Sequence, residues 1–161
     1  MTTDQQHRET TITTPSDLEI RVERVFDAPR DRVYTVFHDP ALIPEWWGDT
    51  TSVDVMDVEP GGSWRFVVRQ QDGDETAFRG TFKELDPPEL SVRTFEWEGM
   101  PGHVLLETTV FEDLGGSTKV TTTMLFDTTE ERDGMRASGM ERGVNETYAR
   151  LDELFARLAA S

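Results

Sequence analysis

Val144-Asn-Glu-Thr-Tyr-Ala-Arg-Leu-Asp-Glu-Leu-Phe-Ala-Arg-Leu158 is the stretch on which the architecture turns. Its apolar positions Val144, Thr147/Tyr148, Leu151, Leu154/Phe155 and Leu158 recur every three or four residues, with Arg, Asp and Glu between them. That period marks a long helix with one apolar stripe, which something must cover. Upstream, Thr128 and Glu131 have capping-box spacing. Gly134, Gly139 and Gly143 weaken the first half of this helical region by about 1 kcal/mol each relative to Ala. A glycine on a helix face also lets a sheet or a ligand approach closely.

Before the helix, from about Thr51 to Phe126, the period changes to two. Val53 and Val55 alternate with Asp54; Trp64, Phe66 and Val68 with Arg65 and Arg69; Phe78, Gly80 and Phe82 with Arg79, Thr81 and Lys83. Val92–Trp97, Val104–Phe111 and Val120–Phe126 follow, and the turns between strands are Gly- and Pro-rich, as in Glu59-Pro-Gly-Gly62, Gln71-Asp-Gly-Asp74 and Glu112-Asp-Leu-Gly-Gly116. Strands joined this tightly make an antiparallel meander. Asp17–Phe26 reads as an earlier strand. Pro29 and the face Val33, Val36, Phe37 make a short helix, and Leu42, Ile43, Trp46 and Trp47 a second, ended by Gly48. Residues 1–16 are polar and aperiodic and read as a disordered tail, leaving 17–161 as one domain. The expected class is α+β: a curved antiparallel sheet of six to seven strands around a long C-terminal helix, with two short helices after the first strand. Space left between sheet and helix is the natural pocket.

The chain has 161 residues, 16 Lys+Arg against 32 Asp+Glu, and a formal charge of −16. With no Lys/Arg cluster longer than two residues, nucleic acid and anionic membranes are disfavoured as partners. Zero cysteines exclude disulfides, thiolate metal sites and a thiol nucleophile. No apolar run approaches the ~18 residues that cross a bilayer, and the N-terminus does not read as a signal peptide, so a cytoplasmic location is expected. Most of the acid excess lies on residues 17–127, since 128–161 carry five Arg against seven acids. It therefore describes a solvated outer surface, and a ligand is to be sought inside.

Several motifs together resemble the START-like (SRPBCC) superfamily, and within it the group named after the activator of the heat-shock-protein-90 ATPase. These are Arg24-Val-Phe-Asp-Ala-Pro29, Phe37-His-Asp-Pro40, Glu45-Trp-Trp-Gly48, Pro60-Gly-Gly62, Gly80-Thr-Phe82, Asp86-Pro-Pro88, Phe111-Glu-Asp113, Glu131-Arg-Asp133, Gly139-Met-Glu-Arg-Gly143 and Arg150-Leu-Asp-Glu-Leu154. The resemblance spans about residues 17–160 and implies a helix-grip fold. The superfamily includes lipid carriers, polyketide cyclases and aromatases, hormone receptors and chaperone co-activators, so the fold does not settle activity.

No recognisable catalytic constellation stands out. His7, His38 and His103 lack metal-site spacing and read as exposed or capping residues; no nucleophile elbow, phosphate loop or dinucleotide fingerprint occurs. Neither metal nor cofactor is expected. Asn145-Glu-Thr147 matches a glycosylation sequon but falls on the helix and is set aside. Glu96 and Glu107 sit among apolar strand residues; alternation favours their pointing outward, but an inward carboxylate would serve as general acid or base. Tyr148 would be its polar partner. The expected cavity lining is Trp64, Phe66, Phe78, Phe82, Trp97, Met124, Met140, Val144 and Tyr148. Strand parity places Trp64, Phe66 and Phe82 on the concave side more securely than Trp97, which shares its parity with Arg93. The first expectation is a non-enzymatic module for an apolar, aromatic or lipid-like small molecule. The alternatives are a cyclase- or hydrolase-like enzyme using a cavity carboxylate, and a chaperone co-factor or stress-response protein with the chaperone as partner. A monomer or homodimer is expected.

Overall fold

Alternation in Glu-Ile-Arg-Val-Glu-Arg-Val-Phe sends Ile20, Val22, Arg24 and Phe26 to one face of a strand, and the computed structural model builds its sheet on that face. It describes residues 10–48 and 50–160. The elements are β1 (Thr11–Thr13), β2 (Glu19–Phe26), α1 (Arg30–His38), α2 (Ile43–Trp47), β3 (Thr51–Met56), β4 (Ser63–Arg69), β5 (Glu75–Asp86), β6 (Leu90–Trp97), β7 (Val104–Asp113), β8 (Thr118–Leu125), α3 (Thr129–Ala137) and α4 (Met140–Ala160). The strands form one sheet in the order β1-β2-β8-β7-β6-β5-β4-β3, every neighbouring pair antiparallel. This is the expected α+β, helix-grip architecture.

Two expectations need correction. The sheet has eight strands, not six to seven, because Thr11–Thr13 pairs with Arg21–Glu23 along the edge of β2. The disordered tail drawn over residues 1–16 is therefore wrong at β1; residues 1–9 lie outside the described residues. Ile12 packs on the core from this strand, a single apolar residue that pattern reading cannot distinguish from chance. The C-terminal region is also two helices. Thr128 caps α3, its hydroxyl accepting from the Glu131 N–H at 3.1 Å. Gly139 then takes φ +84°, a left-handed conformation that ends the helical path before α4 starts.

Helix α4 is anchored by its later part. Its buried residues are Tyr148, Leu151, Leu154 and Phe155, which join Ile20, Val22, Phe26 and Trp46 in the core. Arg150 donates from Nε to the Trp46 carbonyl at 2.8 Å and from Nη2 to that of Trp47 at 3.2 Å, so it supplies partners for backbone oxygens at the end of α2. Arg24, inside the sheet, meets Asp152 at 2.5 Å. On the other side of the sheet's concavity, Trp64 lies under the Arg93 guanidinium, 4.2 Å from the ring, and donates from Nε1 to the Thr94 carbonyl. Gly80 makes this approach feasible: a Cβ there would stand 1.9 Å from the Thr94 oxygen and 2.6 Å from Trp64 Nε1.

Candidate functional site

The concave face of the sheet and the first half of α4 do not meet. Between them is a cavity of about 1070 Å³, closed at one end by α1 and α2 and bordered at the other by α3 and the β6–β7 turn. Its walls are mainly apolar. From α4, Met140, Gly143, Val144 and Thr147 face it, a stretch that contributes nothing fully buried to the core.

Of the nine residues expected to line it, six do: Phe78, Trp97, Met124, Met140, Val144 and Tyr148. Trp64, Phe66 and Phe82 share the concave side but lie beneath other side chains. Arg93 covers Trp64; Trp47 packs edge-on to Phe66 with centroids 4.9 Å apart; Phe82 is 1 % exposed below His38. These three are core, and their assignment to the lining is corrected. Trp97 does share its face with Arg93, but that face is the inner one. Trp97 sits at the mouth, 43 % exposed, beside Met100 and Val104.

The two candidate carboxylates part company. Glu96 faces away from the cavity, accepting from the Gly102 N–H at 2.7 Å and from Arg79 Nε at 3.0 Å, and these bonds, the Gly102 one foremost, hold its carboxyl below the ordinary range. Its candidacy is withdrawn. Glu107 faces inward and accepts from Arg93 Nε at 2.7 Å across the β6–β7 ladder, where the two are direct partners. Tyr148 completes the set. Burial, assisted by the Glu107 charge, raises its phenol well above the usual value, and its hydroxyl bonds the Thr122 side chain. The proton thus stays on Tyr148 at any physiological pH, leaving a hydroxyl able to donate to a ligand oxygen.

Register extends the polar strip. Ser91, Thr109 and Thr122 are lateral partners on β6, β7 and β8, with Thr109 and Thr122 hydroxyls 3.1 Å apart. Next to them, at the end of α1, His38 Nδ1 is 2.8 Å from the Tyr34 carbonyl and Nε2 is 2.9 Å from Ser91 Oγ. Burial, with the Arg93 charge adding to it against the Tyr34 bond, pushes His38 down to about 4, so the ring is neutral. Sequence reading took His38 for a helix-end cap and passed over Ser91. The available signal was parity, which places Ser91 with Arg93 and Phe95 on one face.

At the mouth, His103 Nδ1 meets the Glu131 carboxylate, tying the β6–β7 turn to α3. Among the described residues no group of three or more His, Asp or Glu side chains is placed to hold a metal ion, and no helix is long and apolar enough to cross a membrane.

Solved structures of similar shape include a protein from Rhodobacter sphaeroides, 24% identical over 93% of this chain and 99% of its own, with a TM-score of 0.84. Protein Ms6760 from Mycobacterium smegmatis is 20% identical over 91% of this chain and 96% of its own, with a TM-score of 0.81. DynU16, a protein of the dynemicin biosynthetic locus, is 21% identical; the match covers 86% of this chain and 47% of that one, at a TM-score of 0.67. At these identities the likeness establishes the fold alone. No curated protein matches the chain. Residues 27–156 match the model of a family described as activator of Hsp90 ATPase homolog 1-like proteins. These residues take in α1, α2 and α3, strands β3 to β8 and most of α4, and the chain belongs to that family.

Proposed function

We propose that the protein binds an apolar, aromatic or lipid-like small molecule between its sheet and α4. The cavity carries this reading. At about 1070 Å³ it reaches the upper end of the roughly 300–1,000 Å³ usual for ligand pockets, and its apolar walls are interrupted by a few convergent polar groups. Such a space, left empty, forgoes contacts that a ligand would restore. The test uses the uncharged aromatic dye N-phenyl-1-naphthylamine. Saturable one-to-one fluorescence enhancement is expected, with a rise in Tm, since a ligand at 100 times its Kd stabilises by about 2.7 kcal/mol. Gly143→Trp fills the cavity from α4, where a Cβ meets nothing within 4 Å, and is expected to abolish binding. Binding that survives the filling, or no saturable binding by the parent protein, refutes the reading.

A second reading, a cyclase- or hydrolase-like enzyme, is favoured by Glu107, which of the two candidate carboxylates Glu96 and Glu107 is the one that faces the cavity. Loss of turnover in Glu107→Gln with ligand binding intact would select it. A chaperone co-factor role draws on the family's description alone; altered ATPase turnover of the chaperone at saturating protein is its readout.

A further inference from the structure

The cavity wall holds a pair of groups that neither reading above employs. Ser91 and His38 are 53 residues apart in sequence, and the fold brings Ser91 Oγ to 2.9 Å from His38 Nε2. The roles within that hydrogen bond are fixed by the other ring nitrogen. The Tyr34 carbonyl oxygen, 2.8 Å from Nδ1, only accepts, so Nδ1 carries the ring hydrogen. In the neutral ring Nε2 is then a lone pair, and the Ser91 hydroxyl donates to it. A serine hydroxyl aimed at an imidazole lone pair, with the ring oriented from behind, is the arrangement of an activated nucleophile. Both residues line the cavity, as does Arg93, two residues along the same strand face.

We infer that Ser91 and His38 form a nucleophile–base pair that hydrolyses uncharged carboxylic esters lodged in the apolar cavity. The inference rests on the binding reading, because the ester reaches the pair only from within that space. Ser91 Oγ attacks the carbonyl carbon while His38 Nε2 takes the hydroxyl proton. The oxyanion develops next to the positive charge of Arg93. The carbonyl carbon–alkoxy oxygen bond then breaks, and the alcohol departs with the proton from His38. Water, deprotonated by His38, attacks the acyl-Ser91 ester; the acid leaves and Ser91 recovers its hydrogen. The sum is ester plus water giving acid plus alcohol.

Burial makes His38 a weak base, which points to esters with good leaving groups, such as aryl esters, over amides. The groups around the ring are Tyr34 stacked at 4.2 Å, Ser91, the Phe82 and Phe111 rings, and Arg93, itself paired with Glu107. Turnover is therefore expected to stay level from pH 8 to about 5 and to fall toward 4 as the ring protonates.

The test pairs p-nitrophenyl hexanoate with the non-hydrolysable p-nitrophenyl hexyl ether, and adds a fluorophosphonate probe. The expected result is hydrolysis above buffer, a single phosphonyl adduct located on Ser91 by mass spectrometry, and a fall of about 100-fold or more in Ser91→Ala and His38→Gln. Ser91→Cys keeps the side chain's size and adds the protein's sole thiol. Its alkylation by iodoacetamide is expected to slow when His38→Gln is added, which reads the pair even if Ser91→Ala folds poorly. If the ether binds but the ester is not cleaved and Ser91 is not labelled, the pair is overturned and the binding reading stands. If the ether also fails to bind, both fall. Undiminished hydrolysis in Ser91→Ala overturns the pair as well.

Discussion

Lowering the pH should weaken the fold through His38, by an amount that follows from its surroundings. The ring has an ordinary value of 6.5 and is pushed to about 4 in the folded protein, first by burial and then by Arg93. A depressed value in the folded state means that, between these two pH values, the unfolded chain binds a proton that the folded chain refuses. Stability therefore rises with pH across that window: the contribution is complete above about 6.5 and disappears progressively as pH falls toward 4. Each pKa unit corresponds to about 1.4 kcal/mol, so the swing is on the order of 3 kcal/mol, a large part of a small domain's total. The carboxylates titrate in the same range, and with a net charge of −16 their protonation changes self-repulsion, so the parent protein's own curve is not diagnostic. The difference between the parent and His38→Gln removes that background. Urea unfolding of both, followed by tryptophan fluorescence at pH 8, 6, 5 and 4, should give a stability gap that shrinks by about 3 kcal/mol from pH 8 to 4. A gap constant to within about 0.5 kcal/mol would show that His38 is not buried neutral, and would remove the electrostatic basis for its bond to Ser91.

Two glycines should respond in opposite directions to alanine. Gly143→Ala, whose added Cβ meets nothing within 4 Å, should raise stability by about 1 kcal/mol, whereas Gly80→Ala, blocked by Thr94 and Trp64, should lower it by about 3 kcal/mol; chemical denaturation measures both. Phe82→Ala should cost about 3–5 kcal/mol because Phe82 is core, while Val144→Ala, on the cavity side, should cost under about 1 kcal/mol and mainly weaken dye binding. Equal costs at the two positions would erase the distinction between core and lining.

The parts of the molecule legible in the sequence were those governed by period. The two-residue alternation through Trp64, Phe66, Phe78 and Phe82 and the helical period through Leu151 and Phe155 report burial directly, so the architecture followed. β1 escaped because three residues with one apolar member carry no period. The lining was half legible. Parity assigns a residue to the concave side, but whether it faces open space or lies under another chain segment depends on contacts such as Trp47 on Phe66 and Arg93 on Trp64, both far apart in sequence. Arg93 itself misled. Its charge argued for the solvent face, yet it is kept inside by Glu107 and by the indole beneath it. Glu107 shares parity with Leu105 and was within reach of the pattern. The His38–Ser91 contact was not, since it joins a helix end to a strand with no local signature.

Helix α4 is split between two duties: its later turns bury Leu151, Leu154 and Phe155 in the core, and its first turns, with nothing fully buried, face the cavity. Along this helix, Tyr148 apart, the residues that shape the cavity are thus separate from those that are fully buried in the core. Substitution at Met140, Gly143, Val144 or Thr147 can reshape the cavity while Leu151, Leu154 and Phe155 keep their places. On the binding reading proposed above, ligand preference can drift faster than the fold, and two chains with superimposable backbones have little reason to share a ligand.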